Sequence, residues 1–390
     1  MKKLKTILVY VTNEFAACEM VSVLIEKKNY YKIKVIIEYA DRNQIDSLKN
    51  IKKIFKFFTN DIYLFKLNLR IRRFNLGDLF RSIKAYSLNS NLKNKVLKYH
   101  KDNNIDCNTF DEVWFTNDVS SKFTCINFKK EMRYFFHALI DIRLLEKINI
   151  FKFLIREIGH LVDFYLFSLI KLKNGVNNIK FYSLIDSSLL WKRYFKPNIV
   201  NFNSYIKCIN KIYKNNKINT KIKKQTILIN IHSFLVGDKK IIESYSNLLS
   251  SSILLNLKKD RIDIRKFSLI LKSKSYFSKK NQNIMLNSFK NNLKKKDIYL
   301  FTDISSGHLP LEICALLVKP KIYISLNTTS DWITKKLLPK TIYYDVSPIF
   351  ISFWYNYNFL TPSHRLIIKS MVKFNNFFKL GIKKLYPIYK

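Results

Sequence analysis

The stretch IYLFTDISSGHLPLEICALLVKPKIYISL, residues 298–326, decides the fold class of the second half of the chain. Its apolar start, at 298–301, has the length and composition of a buried strand. A turn with Ser and Gly follows, a helical pattern then runs over 305–317, and a second apolar run lies at 321–326. Because a strand, a helix and a strand follow one another at short spacing, this stretch predicts a βαβ unit with parallel strands.

The same alternation extends outward through both halves of the chain. In the second half, further strand patterns lie at 226–231 and 267–271, and helical patterns lie at 239–257, 282–293 and 330–337. In the first half, apolar strand runs lie at 6–12, 31–39, 62–67, 112–116, 133–140 and 180–184. We therefore predict an α/β fold with two Rossmann-like domains that face each other across a cleft.

The predicted domain boundaries follow shifts in composition. Residues 1–190 form the first domain, and a polar, Asn- and Lys-rich segment at 191–224 is the predicted linker. Residues 225–350 form the second domain, and 351–390 form a basic, amphipathic helical segment at the C-terminus.

Composition excludes several classes of protein. The chain has 390 residues, of which 48% are hydrophobic and 15% aromatic, so it can bury a large core and is not globally disordered. Its five cysteines are scattered without a CxxC pair, which argues against a disulfide framework or a zinc site and fits a reducing cytoplasm. The best candidate for a membrane-spanning helix, 151–170, contains Lys152, Arg156, Glu157 and Asp163, so the sequence predicts no membrane-spanning helix.

The charge balance predicts an anionic partner. The chain has 70 Lys and Arg residues against 28 Asp and Glu residues, a formal net charge of +42. It has no Arg-rich arm, RNP-like aromatic motif or Cys/His finger, so specific nucleic-acid recognition is not predicted. The tail, 365–390, contains basic residues, no acid and interleaved Phe, Ile and Leu. It would either lie on an anionic membrane surface or pack on the body as a terminal helix.

The turn within the opening stretch is the first candidate site. Ser305, Ser306, Gly307 and His308 stand between a strand and a helix, where free backbone N–H groups and hydroxyls form an anion site. Glu312, further along the predicted helix, would reach a ribose hydroxyl. The alternative is ordinary N-capping of that helix by a serine.

The second candidate site follows the strand pattern RYFFHALI. Asp141 at its end is a candidate general base, and the alternative role is to cap the following helix. His137 is either a core or a cleft residue. Weaker candidates at strand ends are His232, Lys272, Lys274, Asn13 and Glu14, of which the lysines would neutralise a phosphate or carboxylate. No metal-ligand spacing, GxSxG elbow, Walker motif or GxGxxG motif is present.

Three segments together resemble bacterial sialyltransferases of the GT-B type, chiefly the capsule polysialyltransferase and lipooligosaccharide sialyltransferase families. They are ILVYVTNEFAACEMVSVL, DEVWFTND…MRYFFHALID and FTDISSGHLPLEICALL. The acidic motif of these families falls on Asp141 without its glycine, and their Ser-Ser motif falls on Ser305 and Ser306. Their His-Pro motif has no counterpart, because Lys272, Ser273 and Lys274 stand in its place, which leaves His308 as a candidate acid.

This resemblance implies an inverting, metal-independent glycosyltransferase without a cofactor. It would move sialic acid from CMP-sialic acid to an anionic glycan or glycolipid acceptor of a capsule or lipooligosaccharide. The first domain would bind the acceptor, and the second the donor through Ser305, Ser306, Gly307, Glu312 and Lys272. The enzyme would be cytoplasmic and peripheral at the inner face of the plasma membrane. Alternatives are a GT-B enzyme that uses CMP-Kdo or a UDP- or GDP-sugar, and a non-catalytic protein that binds polyanions or nucleic acid.

Overall fold

The fold is described from a computed structural model of the chain. The structure describes residues 4–27, 31–39, 45–66, 93–116, 128–135, 179–184, 198–213, 222, 224–231, 239–273, 278–305, 309–326, 329–356 and 383–388. The chain divides into two compact units, Met1–Ile212 and Tyr213–Lys390. This division falls inside the segment predicted as a linker.

The first unit is built on a parallel sheet. In the described residues its strands are β1 (Lys5–Val11), β2 (Tyr31–Tyr39), β3 (Ile62–Lys66), β4 (Glu112–Phe115), β5 (Glu131–Phe135), β6 (Ile179–Ser183) and β7 (Asn198–Ile199). Their order is β3-β2-β1-β4-β5-β6-β7, and every pair is parallel. The accompanying helices are α1 (Glu14–Glu26), α2 (Ile45–Phe55), α3 (93–102) and α4 (Phe202–Tyr213).

The second unit repeats this topology. Its described strands are β8 (Gln225–Asn230), β9 (Phe267–Lys272), β10 (Ile298–Leu300), β11 (Ile322–Ser325), β12 (Ile342–Asp345) and β13 (Lys383–Lys384). Its described helices are α5 (Lys239–Lys259), α6 (Lys279–Leu293), α7 (Phe301–Ile304), α8 (Leu311–Val318), α9 (Thr329–Leu337) and α10 (Ser347–Asn356). The strand order β10-β9-β8-β11-β12-β13 is 3-2-1-4-5-6 in the unit's own count, which is the Rossmann order. The prediction of two Rossmann-like domains is therefore confirmed.

The two faces of the second sheet differ in chemistry. One face is apolar and packs against α5, α6 and α10, with Ile227, Ile229, Leu269 and Ile324 all buried. Burial of each of these side chains contributes about 1.5–3 kcal/mol to the free energy of unfolding. The other face ends in polar side chains at the carboxyl edge of the sheet.

A buried ion-pair cluster stabilises the first sheet. The Arg133 guanidinium is 2% exposed and contacts Glu112 on β4 at 3.0 Å and Glu131 on its own strand at 2.8 Å. Glu112 also accepts hydrogen bonds from Lys5 Nζ at 3.0 Å and from Trp114 Nε1 at 2.8 Å. Of the two carboxylates on Arg133, Glu112 is fully buried and Glu131 is partly exposed, so the buried part of the cluster depends on Glu112.

A buried histidine of α3 packs against the same sheet. His100 Nε2 is 3.1 Å from the Tyr10 hydroxyl, and its Nδ1 is 3.8 Å from Cys107 Sγ. Burial lowers the pKa of His100 to about 4, so the imidazole is neutral at physiological pH.

The described elements differ from the predicted ones at three places. The linker predicted at 191–224 contains α4, whose Tyr205 and Cys208 are fully buried. The helix predicted at 305–317 begins only at Leu311, since Pro310 is its N-cap residue. The C-terminal segment is not helical throughout, because Lys383–Lys384 form a strand beside β12 and Leu385 enters the core.

Within the described ranges, no helix is long and apolar enough to cross a membrane.

Candidate functional site

A row of polar side chains runs along the carboxyl edge of the second sheet. Lys272 ends β9 and is the register partner of Asn230, which ends β8. Ser325 ends β11 next to Asn230 and is the register partner of Asp345, which ends β12. Register partners in a sheet point to the same face, and neighbouring strands lie about 4.8 Å apart. The row therefore presents an ammonium, an amide, a hydroxyl and a carboxylate on one face, over about 14 Å.

This row lies where the Rossmann topology places ligands. The strand order reverses direction between β8 and β11, so Asn230 and Ser325 flank the switch point. Ligands of open α/β sheets bind outside the carboxyl ends of the strands at this point.

Lys272 is the cation of the row. Its side chain is 6% exposed, and its Nζ donates a hydrogen bond of 2.5 Å to the Ser273 carbonyl oxygen. In the described residues no carboxylate lies within 4.0 Å of this ammonium. Burying a charge with so little compensation is unfavourable, and an anionic ligand would supply the missing charge.

A hydrogen-bonded chain fixes the middle of the row. Asn230 Nδ2 donates to Ser325 Oγ at 3.1 Å, and Ser325 Oγ donates to Asp331 Oδ2 at 2.8 Å. The Tyr323 hydroxyl donates to the other oxygen of Asp331. Burial, and next the charge of Asp331, raise the pKa of Tyr323 well above its ordinary value, so the phenol stays protonated and donates. The chain of donors turns the Asn230 amide so that its nitrogen faces Ser325.

Helix N-termini place three carboxylates at the same edge. Glu312 is the second residue of α8 and Asp331 the third of α9, and both are buried. Asp345 Oδ1 accepts the Ser347 backbone N–H at 2.8 Å where α10 begins. The positive end of each helix dipole stabilises these carboxylates. Both oxygens of Asp331 already accept hydrogen bonds within the row, so Glu312 and Asp345 are the carboxylates of this edge that suit ribose hydroxyls, as Lys272 suits a phosphate.

The structure changes the interpretation of the Ser-Ser turn. Ser305 follows α7 in extended conformation, φ −133° and ψ 161°, and does not cap the next helix. Glu312 lies in the first turn of α8, whereas the predicted helix placed it about two turns in. Ser306, Gly307 and His308 lie outside the described residues, so their predicted roles stay predictions.

Of the candidate site residues in the first unit, some lie outside the described residues and others have structural roles. Asp141 and His137 lie outside the described residues, since β5 is described only to Phe135. Asn13 caps α1 by accepting the Ala16 N–H at 2.8 Å, and Glu14 Oε1 accepts a hydrogen bond from Asn50 at 3.2 Å. These two residues therefore have structural roles here. His232 and Lys274 are also outside the described residues.

Sequence reasoning missed Asn230, Ser325, Asp331 and Asp345. Three of them share a signal, because each is the polar residue that ends an apolar strand run: TILIN, IYIS and IYYD. The fourth, Asp331, has no such signal, since Asp in the first turn of a helix is common on helix surfaces.

Comparisons with known proteins add limited information. No protein-family model and no curated protein matches the sequence. A putative UDP-N-acetylglucosamine 2-epimerase from Listeria monocytogenes is 12% identical, with 89% of this chain and 80% of that chain covered and a TM-score of 0.49.

Two further solved structures give similar values. UGT2 of Phytolacca americana, complexed with UDP-2-fluoro-glucose and pterostilbene, is 7% identical, with coverages of 100% and 86% and a TM-score of 0.48. MurG of Acinetobacter baumannii is 9% identical, with coverages of 98% and 86% and a TM-score of 0.42. At such identities and scores the similarity assigns no activity to this chain.

Proposed function

We propose that the chain is a nucleotide-sugar glycosyltransferase whose second unit binds the donor at the carboxyl edge of its sheet. The observation that carries the proposal is the buried Lys272, which has no carboxylate within 4.0 Å among the described residues and lies in a row with Asn230 and Ser325 at the switch point. A nucleotide sugar offers this edge a phosphate for the ammonium and ribose hydroxyls for the carboxylates. Two Rossmann-like units in tandem are also the layout of the GT-B families that the sequence resembles.

The donor that we propose is CMP-sialic acid, and the acceptor is a capsule or lipooligosaccharide glycan. Both follow from the resemblance of the DISSGHLPLE and HALID segments to bacterial sialyltransferases. Transfer would be a metal-independent single displacement with inversion, in which Asp141 removes the acceptor proton. As CMP leaves, positive charge at Lys272 compensates the charge that develops on its phosphate. A donor with another nucleotide fits the described residues equally well.

The proposal includes peripheral association with the inner face of the plasma membrane. Lipid-linked acceptors lie at that surface, and the net charge of +42 attracts the chain to anionic lipid.

Turnover of CMP-sialic acid tests the activity. Free CMP released in the presence of glycan acceptors is measured for the wild type and for Asp141→Asn. Loss of a general base lowers the rate about 10²- to 10⁴-fold, while nucleotide binding should stay unchanged. If CMP-Kdo, UDP-sugars or GDP-sugars are consumed and CMP-sialic acid is not, the donor assignment is wrong and the transferase assignment stands. If no nucleotide sugar is consumed and binding to any nucleic-acid duplex is steeply salt-dependent, the chain is a polyanion-binding protein.

A further inference from the structure

A basic groove lies at the opposite, amino-terminal edge of the second sheet. Its volume is about 760 Å³, and it lies where β8 begins, where α8 and α9 end, and where the chain enters β11 and β12. Because strands and crossover helices run in opposite directions, this edge is remote from the row that contains Lys272.

Lysines give the groove its charge. Lys224, Lys319, Lys321 and Lys340 line it, and none of the lining residues is acidic. Lys224 is paired with Asp297 at 3.4 Å. For the other three, all exposed, the described part of the chain offers no carboxylate within 4.0 Å. The groove thus has a surplus of positive charge that nothing described compensates.

Apolar side chains form the walls between these lysines. Leu317, Val318, Leu337 and Leu338 line the groove and are only partly buried, and Ile342 beside it is 39% exposed. A partner that covers this surface therefore offers both negative charge and apolar atoms.

The C-terminal ends of α8 and α9 restrict which kind of anion the groove can bind. Both helices direct their C-terminal carbonyl groups toward this edge, and Lys319 closes α8 in the left-handed conformation, with φ 46° and its N–H bonded to the Ala315 carbonyl at 2.8 Å. Helix C-termini have partial negative charge, so an enclosed phosphate would be unfavourable here. Long lysine side chains can instead extend outward to charges on a flat surface while their stems cover the leucines.

We infer that this groove is the part of the protein that lies against an anionic phospholipid surface. The lysines contact the headgroups, and the apolar side chains contact the boundary with the acyl chains. The inference rests on the membrane association proposed above, and it is independent of the transferase activity because vesicle binding requires no turnover.

Vesicle co-sedimentation with two charge-matched variants tests the inference. The groove variant is Lys319→Glu/Lys321→Glu/Lys340→Glu. The control variant is Lys239→Glu/Lys279→Glu/Lys280→Glu, whose lysines are exposed and lie at helix starts on the carboxyl edge. Both variants change the net charge equally, so only the position of the change differs. Binding is measured at low ionic strength to vesicles of equal parts phosphatidylglycerol and phosphatidylcholine, and thermal melting confirms folding.

A lysine near an anionic bilayer contributes about fivefold to binding, so loss of the three lysines alone should lower the partition coefficient of the groove variant about 100-fold, and the three added carboxylates should lower it further. The control should lose less than about fivefold, since its lysines face away from the membrane. Equal losses in both variants would show that diffuse net charge is responsible and would overturn the inference. Loss of heparin binding by the groove variant, with vesicle binding unchanged, would overturn it in favour of an acidic polymer.

Discussion

Replacing Lys272 with methionine separates a ligand-binding lysine from a structural one. Methionine has a similar length without the charge, and the ammonium that it removes is buried with one hydrogen bond to a carbonyl oxygen. Replacement of a poorly compensated buried charge by an apolar side chain is neutral or stabilising by about 1–4 kcal/mol. The free energy of unfolding without nucleotide should therefore be unchanged or higher.

Nucleotide affinity should change in the opposite direction. A hydrogen bond to a charged group contributes about 1.5–3 kcal/mol, so loss of the ammonium should weaken binding about 10- to 150-fold. Denaturant unfolding without nucleotide and isothermal titration with CMP, UDP and GDP measure the two effects on the same samples.

A second lysine in the same unit is the matched control. Lys295 is also nearly buried, but its ammonium is paired with Asp297. Lys295→Met leaves that carboxylate with Lys224 at 3.4 Å and should lower the free energy of unfolding by about 1–2 kcal/mol. That loss corresponds to about 2–8 °C in melting temperature, without an effect on nucleotide affinity. If Lys272→Met behaves like Lys295→Met, Lys272 is a structural residue and the site assignment fails.

Three further predictions concern the ion-pair cluster around Arg133, the buried His100 and the hydrogen bonds of Asp331. Glu112→Gln should lower the free energy of unfolding by about 3–5 kcal/mol, because Arg133 stays buried with only the partly exposed Glu131 as counter-ion. The double variant Glu112→Gln/Arg133→Met should recover most of this loss, and a loss below about 1 kcal/mol for Glu112→Gln would contradict the role of the cluster. Burial gives His100 a pKa of about 4 in the folded chain against about 6.5 when unfolded, so the unfolded chain binds more protons and stability should fall as pH drops from about 6.5 to about 4. His100→Gln should remove this part of the pH dependence in denaturant unfolding, and an unchanged profile would be inconsistent with the buried imidazole. Asp331→Asn should weaken nucleotide binding, because the Asn230 amide would turn, and Ser325→Ala should have the same effect. If titration shows that both variants bind nucleotide as tightly as the wild type, the chain of donors does not orient the Asn230 amide.

The strands were predictable because they are buried on both faces. The cores of these strands, ILVYV in β1 and LIL in β9, are apolar at every position, which is typical of central parallel strands and leaves few alternative assignments. The alternation of these runs with helices then determines the fold class.

The sequence itself contains the signal that the helix predicted over 305–317 begins at Leu311. Pro310 has no N–H and clashes with the carbonyl four residues back, so it fits a helix start and not the interior of a helix over 305–317. The described end of the tail, 383–388, differs from the prediction because the charge pattern of 365–390 resembles an amphipathic helix. Only the three-dimensional structure shows Leu385 in the core and the Asn256 side chain bonded to the Tyr386 carbonyl at 2.9 Å.

The polar row could not be predicted from the sequence, because the register of neighbouring strands brings its residues together. Lys272 was predicted as a phosphate ligand from its place after a strand, but its neighbour Asn230 lies 42 residues earlier and Ser325 lies 53 residues later. Nothing local brings these residues together, and only the strand order β9-β8-β11 does.

Calorimetric titration of CMP into the wild type and into the Lys272→Met variant is the most direct test of where a nucleotide binds. The account predicts saturable binding of CMP, or of UDP or GDP if the donor differs, by the wild type and at least tenfold weaker binding by the variant. Failure of all three nucleotides to bind the folded wild type, or equal affinity for both proteins, would show that the carboxyl edge of the second sheet is not a nucleotide site.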